Sequence, residues 1–132
     1  MKHVAFRVYG LPESQGSARA FVRGGRPVIT STNKNLGDWR RLVADASQKH
    51  ADLLGGAVSL SLKFYLPKPK STPKKVYWPA KRPDLDKLIR AVGDALTGIM
   101  WADDSQICVI FALKFYADGE HPPGVDIGIW GD

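Results

Sequence analysis

Between residues 67 and 83 the chain carries five prolines, at positions 67, 69, 73, 79 and 83. Each fixes φ near −65° and removes a backbone donor, so this stretch can join neither a helix interior nor a central strand. It is predicted as an exposed loop, and the regular elements must lie on either side of it. Val58, Leu60, Leu62, Phe64 and Leu66 alternate strictly with Ser59, Ser61, Lys63 and Tyr65, the signature of a half-buried strand. Val4, Phe6 and Val8 mark another strand. Residues Ala20–Val22 and Pro27–Thr30 flank Arg23-Gly24-Gly25-Arg26 and read as a hairpin. Leu36, Trp39, Val43, Ala46 and Leu53 recur at helical spacing from about Asn35 to Leu54, with Gly55-Gly56 as the stop. A second helix is expected from Asp84, with Leu85, Leu88, Val92, Leu96 and Ile99 in one stripe. Ile107–Tyr116 and the alternation of Val125, Ile127 and Ile129 supply two further strands. The prediction is an α+β single domain over residues 1–132, a mixed sheet carrying two main helices on one side.

Charge is concentrated in the same region. The window from Lys63 to Arg90 holds nine cations against Asp84 and Asp86, a balance of 9 − 2 = +7, while the whole chain is +6. A focused basic patch attracts a polyanion and releases its counterions, which evenly spread charge does not do. Six of those cations, Lys68, Lys70, Lys74, Lys75, Lys81 and Arg82, lie within the proline-rich loop beside Tyr77 and Trp78. Aromatic rings among cations suit base stacking together with phosphate contact; Trp78 folded back on the core is the competing reading. No apolar run approaches the ~20 residues of a membrane span. A single cysteine, Cys108, cannot form an internal disulfide, so a reducing cytoplasmic setting is expected. Cys108 is read as a small core residue of its apolar strand.

Chemistry is concentrated in two acidic pairs. Asp84 and Asp86 stand at the expected helix start, and Asp103-Asp104 follows that helix before the next strand. Carboxylates converging within a polycationic surface provide hard oxygen ligands for Mg²⁺. Simpler roles compete: Asp84 as a helix cap, Asp86 as a first-turn acid, and Asp103-Asp104 as a turn. His3, His50 and His121 are scattered without ligand spacing, which argues against zinc.

Arg82-Pro83-Asp84-Leu85-Asp86, Asp94-Ala95-Leu96 and Trp101-Ala102-Asp103-Asp104-Ser105-Gln106-Ile107 together resemble the RusA-type Holliday junction resolvases, a family common in phages and prophages. The likeness is strongest over Arg82–Ile107 and extends more loosely through Tyr9-Gly10-Leu11-Pro12 and Gln15-Gly16-Ser17. The resemblance implies a homodimeric, Mg²⁺-dependent endonuclease, with Mn²⁺ as a substitute, that nicks four-way DNA junctions symmetrically and leaves 5′-phosphates. It also implies Asp84, Asp86 and Asp104 as essential acids and metal ligands, with Asp103 as an assisting neighbour. The family uses a Lys where this chain has Arg90, and commonly an Asn where this chain has Lys87. Both departures keep or add positive charge. Arg90, one turn from Asp86 and from Asp94, is expected to be held by both carboxylates and to stabilise transition-state charge, with Lys87 as the alternative.

Lys68, Lys70, Lys74, Lys75, Trp78, Lys81 and Arg82 are the expected DNA contacts, and the Ile107–Tyr116 strand, with Phe111 and Phe115, is the expected dimer surface. Two other functions compete: a nuclease acting on flaps or other branched DNA, and a non-catalytic basic DNA-binding protein. The second gains nothing from four acids placed in the most basic half of the molecule.

Overall fold

In a computed structural model the strict alternation at residues 58–66 becomes the central strand of a sheet, and the other elements assemble around it. The structure describes residues 1–16, 18–31 and 35–132, with side chains described for 1–16, 24, 25 and 35–132; Ser17, within the Gln15-Gly16-Ser17 likeness, lies outside them. In chain order the elements are β1 (Lys2–Tyr9), β2 (Ala18–Arg23), β3 (Arg26–Ser31), α1 (Leu36–Gln48), β4 (Val58–Leu66), α2 (Leu85–Leu96), β5 (Ile107–Tyr116) and β6 (Gly124–Gly131). A short 3₁₀ turn, Asp104–Gln106, precedes β5.

The main sheet has the order β1-β6-β4-β5. β4 and β5 are parallel, whereas β6 runs antiparallel to both β1 and β4, so the sheet is mixed as expected. β2 and β3 form a separate hairpin, turned by Gly24 and Gly25 at φ of 59° and 77°. Left-handed φ at both central turn residues suits glycine.

Alternation along β4 sends Leu60, Leu62 and Phe64 into the core, while Ser59, Ser61 and Lys63 stay on the open face. Trp39 and Val43 of α1, Leu88, Val92 and Leu96 of α2, and Val125, Ile127 and Ile129 of β6 join the same buried cluster. The helices therefore cover one face of the sheet. Among the described residues no helix is long and apolar enough to cross a membrane.

Two expectations change. α1 ends at Gln48 rather than running to Leu54. The chain leaves the helix because Leu54 is needed elsewhere: it is buried, its N–H donates to the Met100 carbonyl at 3.0 Å, and it bridges Trp101. Cys108, read as a core residue, is exposed. β5 is an edge strand, so its apolar run meets solvent instead of a neighbouring element.

Candidate active site

The connection from β4 to β5 is a crossover between parallel strands, which must return the chain to the end of the sheet where β4 began. The proline-rich loop occupies one end of that route, α2 runs back, and the acidic turn sits at the other end. Within the loop, successive tight turns replace helix and strand: the N–H of Thr72 donates to Pro69, Val76 to Pro73, and Lys81 to Pro79. Lys68, Lys70, Lys74, Lys75, Lys81 and Arg82 are all exposed. Trp78 resolves to neither extreme: it stacks on Phe115 of β5 at 5.5 Å yet stays 53% exposed.

The loop is tied to the helix start by a residue to which sequence reasoning gave no role. Lys114 Nζ donates to the carbonyl oxygens of Lys81 at 2.7 Å and Pro83 at 2.9 Å. A lone lysine inside the apolar strand ICVIFALKFY was its only sequence signal. On the opposite side, the N–H of Gln15 donates to the Lys87 carbonyl at 3.0 Å, bringing the Leu11–Gly16 segment against α2.

Asp84 occupies the N-cap position of α2, but its side chain makes no capping hydrogen bond. Its carboxylate faces Lys87 Nζ at 3.7 Å, with both side chains about half exposed. Such an exposed pair contributes only ~0.3–0.5 kcal/mol and leaves both groups available. Asp86 and Arg90 follow on the same exposed stripe. The expected bridging of Arg90 by Asp86 and Asp94 does not form: no ion pair joins Arg90 to any carboxylate among the described residues. The guanidinium remains open to an incoming phosphate.

The second acidic pair divides its labour. Asp103 Oδ1 accepts from Ser105 N at 2.8 Å and, with Gln106, closes a capping box on the 3₁₀ turn. That backbone hydrogen bond, then the Ser105 and Asp104 side chains, hold the Asp103 carboxyl below the usual carboxylate range. Asp104 is exposed and lines a hollow of about 250 Å³ with Arg90, Asp94 and Ile110. Gln106 fixes the turn. Its Oε1 accepts from the N–H groups of Ala102 and Asp103, both at 3.0 Å, and its Nε2 donates to the carbonyls of Leu54 at 2.8 Å and Gly56 at 3.0 Å. Trp101, fully buried, anchors the preceding segment through Nε1 to Thr97 Oγ1 at 3.0 Å.

Asp104 thus shares a hollow with Arg90 and Asp94, and Asp84 and Asp86 stand at the start of α2. Asp86 and Asp94 are eight positions apart, about 12 Å along a helix that rises about 1.5 Å per residue. Among the described residues no three His, Cys, Asp or Glu side chains converge on one metal position. Mg²⁺ nevertheless needs only one or two protein carboxylates, completed by water and substrate phosphate, so the oxygen donors at either end suit its chemistry.

Two comparisons bear on this arrangement. The profile of the family described as Endodeoxyribonuclease RusA matches residues 11–129. Uncharacterized protein YqaN of Bacillus subtilis (strain 168) is 31% identical over 129 residues, covering 89% of this chain and 91% of its own length.

Proposed function

This chain belongs to the RusA endodeoxyribonuclease family, and from that premise we propose that it resolves four-way DNA junctions by paired, Mg²⁺-dependent nicks. The observation that carries the reading is that Asp84 and Asp86 stand exposed at the end of the most basic segment of the chain, and that Asp104 lies exposed in one hollow with Arg90, while their neighbours do the structural work. A protein that only bound DNA would gain nothing from exposed acids there, because they repel phosphate.

The proposed cellular setting is the bacterial cytoplasm, and the proposed partners are branched DNA and a second copy of the chain. Val109, Ile110 and Phe111 are 56%, 45% and 59% exposed on the free edge of β5. An apolar strand edge is a template for pairing with another strand. Antiparallel pairing centred between residues 110 and 111 would set Ile107 opposite Lys114 of the partner subunit. Asp104 of one protomer would then approach the α2 start, Asp84 and Asp86, of the other. Acids from two protomers would thereby meet, giving two equivalent centres, one for each nick. Phe115, also expected in this surface, carries Trp78 stacked on its ring.

In the proposed reaction the loop cations bind phosphates on either side of the branch and orient the strand. The carboxylates of Asp84 and Asp86, with Asp104 of the partner subunit, would hold Mg²⁺. When bound, this ion lowers the pKa of a ligated water and neutralises phosphate charge. Arg90 places its planar fork on the scissile phosphate, with Lys87 next to it, and offsets the charge that develops there. The water oxygen bonds to phosphorus, the P–O3′ bond breaks, and the products are a 5′-phosphate and a 3′-hydroxyl.

The test is a gel assay on a labelled four-way junction and its matching linear duplex, with Mg²⁺ or EDTA and with Asp86→Asn in parallel. Symmetric nicks confined to the junction, requiring Mg²⁺ and Asp86, are expected. Retarded but intact junction under every condition would refute catalysis, and preferred cleavage of flaps would transfer the activity to another branched substrate.

A further inference from the structure

Between the proline-rich loop and the open face of the sheet lies a pocket of about 460 Å³, walled by Tyr65, Tyr77 and Phe115 and rimmed by Lys68, Lys74 and Lys75. Ligand pockets commonly measure about 300–1,000 Å³. The wall is built as a continuous stack. Trp78, Phe115, Tyr65 and His121 follow one another with ring centroids 5.5, 5.5 and 4.8 Å apart. Burial, and then the Asp126 carboxylate, push the Tyr65 hydroxyl above the usual phenol range, so it stays neutral. Asp118 fixes the far end, accepting from the His121 N–H at 2.7 Å and lying 3.1 Å from His121 Nδ1.

Both faces of Tyr65 and Phe115 are occupied within this stack, but Tyr77 differs. It meets Trp78 edge-on at 5.0 Å and 83°, and is 66% exposed, so a ring face stays open. Lys68, Lys74 and Lys75 make no ion pair with any carboxylate among the described residues. The hydroxyl of Tyr116, which also lines the pocket, is buried and has no hydrogen-bond partner among them. An open aromatic face beside ammonium groups that make no ion pair, with Lys68 Nζ lying over the Tyr116 ring at 5.5 Å, matches the base and phosphate of a nucleotide. Tyr116 also borders a second hollow of about 310 Å³, along which Lys81, Arg82 and Pro83 lead towards Asp84.

We propose that this pocket receives one unstacked nucleotide of the strand that is cut, its base on Tyr77 and its phosphate among Lys68, Lys74 and Lys75. The proposal rests on the endonuclease reading and deepens it by locating the preference for branched DNA. Drawing a base out of continuous duplex costs stacking and pairing energy, which is least where stacking is already interrupted. The pocket therefore favours a branch point, and the acids cut the phosphate that this placement delivers.

Dissociation constants measured in EDTA for a four-way junction and a linear duplex of equal length test the proposal. Tyr77→Ala is expected to weaken junction binding roughly 5- to 150-fold, the range for loss of one base–aromatic stack, and to leave duplex binding unchanged. Tyr77→Phe should bind like the wild type, and an unchanged melting temperature checks folding. In a second series the nucleotides flanking the branch are replaced singly by abasic residues. At one position the abasic junction should lose most of its sensitivity to Tyr77→Ala. Equal weakening on junction and duplex, or a Tyr77→Ala penalty that persists at every abasic position, would overturn the proposal. Because binding is read without metal, that result would leave Mg²⁺-dependent nicking standing. A wild-type protein that binds but never nicks would sink the endonuclease reading alone.

Discussion

Replacing Gln106 by alanine removes a side chain that ties the acidic turn to the Leu54–Gly56 segment. Four hydrogen bonds disappear: two from the N–H groups of Ala102 and Asp103, and two to the carbonyls of Leu54 and Gly56. The first pair is exposed, so water recovers most of each bond and the loss is about 0.5 kcal/mol apiece. The second pair is partly buried and loses nearer 1 kcal/mol apiece. The gross cost of about 3 kcal/mol is reduced by about 1 kcal/mol, because the freed position no longer immobilises a long side chain. A net destabilisation of about 2 kcal/mol corresponds to a melting temperature lower by roughly 6–10 °C in a domain of this size. Thermal unfolding followed by circular dichroism measures it, and junction nicking well below the melting temperature measures the consequence for Asp104. Gln106→Glu keeps the acceptor half and loses the donor half, so it should not restore stability. A melting temperature within 2 °C of wild type for Gln106→Ala, together with wild-type nicking, would refute the reasoning.

Other predictions follow from the same geometry. Asp86→Asn and Asp104→Asn should each abolish nicking of a four-way junction while preserving binding in a mobility-shift assay. If the centres form between protomers, mixing the two inactive variants should restore single-strand nicking in mixed dimers, where one centre receives both wild-type acids; absence of any recovery would place all three acids within one protomer. Arg90→Ala should lower kcat by about 10²–10³-fold, on the scale of losing one preorganised charge-stabilising donor, and Arg90→Lys should recover part of it in a nicking time course. Lys114→Met keeps the aliphatic stem but drops both carbonyl contacts; a loss of about 1–3 kcal/mol in urea unfolding is expected. Asp103, held below the ordinary carboxylate value of about 3.9, contributes its stability fully above that pH and loses it as pH falls through the lowered value. The Ser105 amide proton in an NMR titration should therefore shift only below the ordinary Asp midpoint.

Local chemistry made much of the fold legible in the sequence. The alternation at residues 58–66 gave β4 with its bounds, and the prolines gave the irregular loop. Pro83 ahead of Asp84 and the apolar stripe gave α2. Features set by tertiary pairing were not legible. Helical spacing at Leu53 gave no hint that Leu54 would be drawn to Trp101, because that partner lies far along the chain. Cys108 looked buried because apolar periodicity does not reveal whether a strand lies at the centre or at the edge of its sheet. The acids were identified by type and spacing, yet which of them shares a hollow with Arg90 follows from the parallel crossover, which only the strand order discloses. Lys114, a positioning residue, gave at most a polar side chain within an apolar run, and Gln106, though part of the Trp101–Ile107 likeness, gave no sign that it fixes the turn.

The free edge of β5 also has a consequence for how the chain survives its own synthesis. Ile107-Cys108-Val109-Ile110-Phe111-Ala112-Leu113 is a run of seven apolar residues with no charge and no proline, the composition of segments that nucleate cross-β fibrils. Lys114 is the nearest basic residue that could act as a gatekeeper, but its ammonium is already engaged by two carbonyls. Newly made chains therefore face a kinetic competition between folding and precipitation. Slow expression at low temperature should raise the soluble yield, and Val109→Lys should raise it further.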